Sequence, residues 1–177
     1  MPTLPTYNSL ALLTKTRRAV WDAIDNWQPL TDWVTNCGYT LLKHRMEEDL
    51  NELLSDESSF FELPSIAVRP GQVAEAWETH RMAKFADQIS IDVKAAYLDQ
   101  AEELSEMVWQ SIWQAAPASS PTVSYIKLAT GRYPKGVSIT RAIGQVGKQK
   151  GWIFTLTITL EASQDPLSTI LQARAAV

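Results

Sequence analysis

The segment Trp152–Glu161, "WIFTLTITLE", constrains the fold more than any other stretch of the chain. Apolar residues occupy every second position, and Thr155, Thr157 and Thr159 stand between them. Strict alternation of this kind is typical of a strand that buries one face only. It therefore predicts a strand whose threonine row faces bulk water, a ligand or another copy of the chain.

Composition and charge exclude several classes of protein. The chain has 177 residues, enough for one domain with a buried core. Its net charge of -4 offers no electrostatic basis for wrapping nucleic acid. Its single cysteine, Cys37, excludes a disulfide framework, and we expect a small, partly buried side chain there rather than a reactive thiol. No apolar stretch reaches the roughly 18 residues of a membrane helix. The opening Met1–Pro5 lacks the pattern of a signal peptide, so we expect a soluble, cytoplasmic chain.

Three segments carry the apolar spacing of helices. The first runs from about Ser9 to Asn26 and is expected to end at Pro29. The second, less regular, lies in residues 40–56, "TLLKHRMEEDLNELLSD". In the third, Asp99 and Glu102 have the spacing of a capping box, and Pro117 is expected to break the helix. The apolar stripe of this third helix consists of Ala101, Leu104, Val108, Ile112 and Ala115.

Five segments read as strands. Ile66–Val68 is the first, and it is expected to turn at Pro70-Gly71 into a polar loop that ends at His80. The second has Ile89, Ile91, Val93, Ala95 and Tyr97 on one face and is expected to pair antiparallel with the first. The remaining strands are Val123–Ala129, Val137–Ile143 and Trp152–Glu161, separated by turns at residues 131–136 and 144–151.

The order of these elements predicts the fold class. Strands joined by short turns favour an antiparallel sheet. We therefore expect an α+β fold, with a mainly antiparallel sheet of four or five strands and two or three helices packed on one face. The predicted domain covers residues 1–161, and residues 162–177 are expected to form a flexible tail.

The sequence lacks the spacing of known catalytic or metal-binding motifs. His44 and His80 are the only histidines, and no carboxylate or thiolate ligand lies at a suitable spacing beside either of them. The glycine-rich segment 144–151, "GQVGKQKG", lacks the Gly-Lys-Ser/Thr ending of a phosphate loop and leads into a strand. No Gly-x-Ser-x-Gly motif of a serine hydrolase is present. We expect no enzymatic activity, no cofactor and no metal site.

Seven tryptophans stand out in the composition. Trp21, Trp109 and Trp152 fall at or near core positions. Trp27, Trp33, Trp77 and Trp113 are harder to bury, and Trp77 lies in the predicted polar loop. A tryptophan there either folds back over the sheet or serves as an anchor in a protein–protein contact, because tryptophan is enriched at interface hot spots.

Three segments in this order resemble the tail terminator (tail-completion) proteins of tailed bacteriophages and related neck proteins. They are "LPSIAVRPGQ", "FADQISIDVKAAY" and "DQAEELSEMVWQSIW", preceded by a leading helix, "LLTKTRRAVWDAIDNW". The resemblance covers roughly residues 9–161. It concerns the order of the elements and the local sequence pattern of the quoted segments rather than an invariant motif. The segment 40–56 is longer than in compact members of the group.

The resemblance implies a virion protein made in the host cytoplasm. Its copies, typically about six, would form a ring at the head–tail junction that caps the tail tube, ends polymerisation and docks the head connector or stopper protein. DNA would pass through without specific binding, and no catalysis, cofactor or membrane is implied. The alternative from the residues alone is a small cytoplasmic adaptor or regulatory domain without enzymatic activity. The interface candidates are Arg69, Trp77, His80, Arg132, Tyr133, Lys135, Thr155, Thr157 and Thr159.

Overall fold

The computed structural model describes residues 5–7, 12–38, 41–45, 63–77, 83–119, 122–146 and 149–164. Four helices and five strands lie in these ranges, so the predicted α+β fold class is confirmed. In chain order the elements are α1 (Leu12–Asp25), α2 (Gln28–Cys37), β1 (Leu42–Arg45), β2 (Ser65–Trp77), β3 (Ala83–Ala95), α3 (Leu98–Ser111), α4 (Tyr125–Thr130), β4 (Gly136–Val146) and β5 (Gln149–Gln164).

The five strands form one sheet in the order β1-β2-β3-β5-β4. β1 is parallel to β2, and every other pair is antiparallel. β5 lies between β3 and β4 and pairs with both along most of its length. The strand predicted at Trp152–Glu161 is confirmed, as are the strand Val137–Ile143 and the antiparallel pairing of the first two predicted strands.

The described helices pack on one face of this sheet and form a single hydrophobic core with it. Side chains alternate across a strand, so β2, β3 and β5 each contribute alternate residues to that core. The predicted stripe residues Ala101, Leu104 and Val108 of α3 are fully buried, and α1 buries Ala19, Val20, Ala23 and Ile24. The strand residues of the core are Ile66, Val68, Ile89, Ile91, Val93, Ala95, Phe154, Leu156, Ile158 and Leu160.

The first helix is confirmed, but the role predicted for Pro29 is wrong. α1 ends at Asp25, and Pro29 lies in the first turn of α2, a helix that the sequence pattern did not predict. Proline is well tolerated there because the first amide groups of a helix have no intrahelical acceptor. α2 ends at Cys37, and its C-cap residue Gly38 takes a left-handed conformation with φ of 67°.

The helix predicted in residues 40–56 is wrong where the structure describes it. Leu42–Arg45 is a strand, and it pairs in parallel with Ser65–Val68 of β2. Pairing with an existing sheet edge satisfies backbone groups that a helix would satisfy internally, so tertiary contacts override a weak local pattern. Residues 46–56 lie outside the described residues.

The turn and polar loop predicted after Val68 are also wrong. β2 continues through Pro70 to Trp77, with a shift of pairing register between Pro70 and Val73. Register shifts of this kind let a strand continue beyond a proline, because the proline nitrogen cannot donate a hydrogen bond to the neighbouring strand. Residues 78–80, the remainder of the predicted loop, lie outside the described residues.

The third predicted helix is present as α3, but its predicted ends are wrong. Tyr97 is the N-cap residue and forms no side-chain capping bond, so Asp99 lies inside the first turn instead of forming a capping box. Tyr97 is mostly exposed rather than on the buried face. The helix ends at Ser111, before Pro117, and Ala115 is exposed.

The strand predicted at Val123–Ala129 is a helix, α4. Ser124 is its N-cap and accepts a hydrogen bond from the Lys127 amide, 3.2 Å away. Gly131 ends the helix with φ of 76° and donates its amide hydrogen to the Lys127 carbonyl. Tyr125, Ile126 and Ala129 are buried against the core.

The first of the two predicted turns is confirmed as a connection, and the bounds predicted for the second are wrong. Residues 131–135 do connect α4 to β4. By contrast, Gly144 and Gly151 are paired with each other inside the strands, which continue to Val146 and start again at Gln149. β5 extends to Gln164, and residues 165–177 of the predicted tail lie outside the described residues.

Candidate protein-interaction surfaces

The face of the sheet opposite the helices carries rows of short hydroxyl side chains. Pairing places Ser90, Thr157 and Ser138 side by side on β3, β5 and β4. Thr155 and Thr140 are paired in the next such row, and Thr159 follows Thr157 on the same face of β5. We call these six residues the hydroxyl face. Thr155, Thr157 and Thr159 are half-buried, so the three threonine candidates share one surface.

A buried carboxylate, Asp92, lies at one end of the hydroxyl face and is only 7% exposed. It accepts hydrogen bonds from Arg69 Nη2, which lies 2.7 and 2.9 Å from its two oxygens, and from Thr155 Oγ1 at 2.8 Å. Arg69 is therefore brought together with the threonine row, and its side chain remains about half exposed. The ion pair with Arg69 neutralises the Asp92 carboxylate.

The connection between α4 and β4 is tied to β5 through Glu161. The Glu161 carboxylate lies 2.8 Å from Lys135 Nζ and 3.4 Å from Arg132 Nη1. Tyr133 is half exposed, and Lys127 Nζ lies 4.5 Å from the centre of its ring. Three predicted candidates therefore cluster at the corner of the sheet beside Thr159, whose carbonyl accepts the Lys135 amide hydrogen at 2.8 Å.

A cleft of about 350 Å³ separates α3 from β4. The sequence pattern did not predict it. Trp109 and Ile139 line the cleft and are 41% and 46% exposed, and Ile143 further along β4 is 66% exposed. The sequence predicts Trp109 at or near a core position, and this prediction is wrong. Arg141 lies 3.3 Å from Glu102 and its guanidinium lies 5.2 Å from the centre of the Phe154 ring. The remaining lining residues are Ser105 and Glu106.

The remaining tryptophans and Cys37 lie in several different parts of the fold. Trp77 is the last residue of β2 and pairs with Ala83 of β3. His80 lies outside the described residues. Trp21, Trp27, Trp33 and Trp152 pack as partly buried side chains against the core, whereas Trp113 is exposed. Cys37 is exposed rather than partly buried.

Two groups of buried titratable side chains lie away from these surfaces. Asp87 on β3 accepts a hydrogen bond from Thr16 of α1 at 2.7 Å, and burial raises the pKa of the Asp87 carboxyl, while Arg17 acts to lower it. Tyr7 donates a hydrogen bond to Asp22 at 2.8 Å, and burial together with that carboxylate raises the pKa of the Tyr7 hydroxyl. Both contacts tie α1 to its neighbours and serve the packing of the helical layer.

Among the described residues, no group of three or more histidine, cysteine, aspartate or glutamate side chains could hold a metal ion. In the same part of the chain, every helix falls short of the length and apolarity that a bilayer span requires.

No family model matches this chain. No curated protein matches it either. Among solved structures, the chain is similar to a protein in a structure titled "Virion of native gene transfer agent (GTA) particle". The two chains are 14% identical, with a TM-score of 0.49, and the match covers 87% of this chain and 100% of the other.

Proposed function

We propose that this protein is a structural subunit of a tailed virion, whose copies form a ring at the head–tail junction. In that position the ring caps the tail tube, ends its polymerisation and docks the head connector or stopper protein. The proposal joins the sequence resemblance to one observation, the hydroxyl face, which is the side of the sheet that the described helices leave uncovered.

The chemistry of the hydroxyl face suits a protein–protein contact. Its side chains are short and uncharged, so a partner can approach the backbone of the sheet closely. The nearby Asp92 is already paired with Arg69 and Thr155. A partner that covers Asp92 therefore buries a carboxylate that already has its counterion, and burial of an unpaired charge is the costly event in interface formation.

Thr157→Lys tests this surface. Thr157 lies on β5 between Ser90 and Ser138, so a lysine there places a charge near the centre of the hydroxyl face. We expect the variant to fold, because the side chain is partly exposed, and to lose incorporation into particles. Complementation of a deletion with each variant, followed by electron microscopy of the particles, measures this. Thr35→Lys on the exposed side of α2 is the matched control, and equal assembly of the two variants would remove the hydroxyl face from the proposal.

The location of the protein is tested separately. An antibody against this chain, with gold detection, is applied to tailed particles purified from the source culture. Gold at the junction of head and tail is the expected result. Intact tailed particles without gold, in a preparation where a second antibody reaches a neck protein, would overturn the proposed function.

A further inference from the structure

The outer strand β4 has the properties of a strand that pairs with another chain. It is one of the two outer strands of the sheet in the described part of the molecule, and it is 11 residues long. Natural outer strands usually resist pairing through short length, proline or charged side chains. β4 contains no proline, and its single charged residue, Arg141, is held by Glu102 and the Phe154 ring.

The surface beside β4 is apolar, with an acidic rim. Ile139, Ile143 and Trp109 are exposed along β4 and the facing side of α3. Contiguous exposed apolar groups with a polar rim mark protein-binding sites. The α3 side of the cleft carries Glu102 and Glu106. Of these acidic residues, Glu102 is paired with Arg141. The partner that fits should therefore offer a strand edge with positive charge.

The same chain supplies such an edge on the other side of its sheet. In the described part of the molecule β1 is the opposite outer strand, and its sequence, Leu42-Lys-His-Arg45, contains two basic residues. We propose that β4 and the α3–β4 cleft of one copy receive the β1 edge of a second copy, so that the sheets of neighbouring subunits join head to tail.

A head-to-tail contact has a defined consequence for assembly. Because the two surfaces differ, each copy can bind one neighbour at each edge, and the assembly either closes into a ring or grows as a filament. Pairing of β4 with β4 in a two-fold dimer would instead bring two acidic α3 rims together, which is unfavourable. The contact rests on the two sheet edges, and only its closure into a ring rests on the proposed function.

The first test measures self-association by analytical ultracentrifugation over a range of concentrations. In the double variant Ile139→Lys/Ile143→Lys both lysines remain in contact with water, so the fold should persist and circular dichroism should be unchanged. We expect self-association to weaken by about tenfold or more. Asn36→Lys, on the exposed side of α2, adds charge away from β4 and should associate like the wild type. Association that is unaffected by the double variant would overturn the proposal.

The second test identifies the partner edge by chemical cross-linking. In a Cys37→Ser background, Thr140→Cys marks β4 and His44→Cys marks β1, and a short bis-maleimide reagent joins cysteines that lie close together. We expect cross-linked pairs in a mixture of the two variants and few in either variant alone. Efficient cross-linking of the Thr140→Cys variant alone would show a two-fold contact and overturn the head-to-tail arrangement. A protein that stays monomeric and cross-links in no combination would overturn it as well.

The outcomes separate this contact from the proposed function. A chain that associates through these two edges but is absent from tailed particles would leave the contact valid and remove the virion role. Gold at the head–tail junction together with no cross-linking would support the virion role and overturn the contact between the two edges.

Discussion

Two aspartates, Asp92 and Asp87, lie on opposite faces of the sheet and differ in the side chains that surround them. Asp92, on the hydroxyl face, is paired with Arg69 and hydrogen-bonded by Thr155. Asp87, on the helix face, is buried and hydrogen-bonded by Thr16, and burial raises the pKa of its carboxyl. Burial therefore disfavours the charged form of Asp87, whereas Asp92 lies beside the Arg69 guanidinium.

The raised pKa of Asp87 predicts a pH dependence of stability. A folded-state pKa above the unfolded value, about 4, favours folding below that unfolded value. This contribution is lost as pH rises through the folded-state pKa. Asp87→Asn stays neutral and keeps an acceptor for Thr16, so the variant should lack this loss. Urea denaturation at a series of pH values should show the free energy of unfolding of the variant rising relative to the wild type across that range.

The exposed carboxylate of Asp99, on the first turn of α3, provides the control for this prediction. Asp99→Asn removes an equal charge without removing a buried one. Indistinguishable pH profiles for Asp87→Asn and the wild type would show that the charge of Asp87 has no net cost in the folded protein.

At the scale of elements, α4 shows how local signals compete. Val123, Tyr125 and Ile126 favour a strand by propensity, and that preference led to the wrong prediction. The helix signals were nevertheless present, because Ser124 caps the first turn and Gly131 allows the left-handed ending. The cap and the packing of the buried side chains against the core together outweigh the propensity.

The capping bond at Ser124 gives a prediction at this scale. Ser124→Ala removes the acceptor of the Lys127 amide and should lower the free energy of unfolding by about 1 kcal/mol. Thermal denaturation followed by circular dichroism measures the effect. Thr122→Ala, at an exposed position before the helix, should change stability far less, and equal losses in the two variants would argue against a capping role.

At the scale of the whole molecule, β5 divides two environments. Its Leu156 is fully buried in the core, whereas its neighbour Thr157 points to the hydroxyl face and is half-buried. The core below β5 joins α1, α3 and α4 to the sheet, so damage to it should reach every element. The opposite face contributes a surface rather than a core.

Leu156→Ala should therefore lower the free energy of unfolding by about 2–5 kcal/mol, because it leaves a cavity in the shared core. Thr157→Ala removes a partly exposed side chain from the other face and should cost about 0.5 kcal/mol or less. Urea denaturation of both variants compares them directly. Comparable losses would mean that the hydroxyl face is packed as tightly as the core.

The amino-acid sequence by itself determined which segments alternate and which repeat at helical spacing. That was enough for the α+β class, the core faces of β3 and β5, and the threonine row, because the alternation that buries one face is a property of each segment. Tertiary structure alone decided that residues 42–45 form a strand and that β2 continues past Pro70. It also decided that Trp109, Ile139 and Ile143 remain exposed. These outcomes depend on which strand edge supplies hydrogen bonds and on which side chains lie across the sheet, and neither is a property of the segment itself.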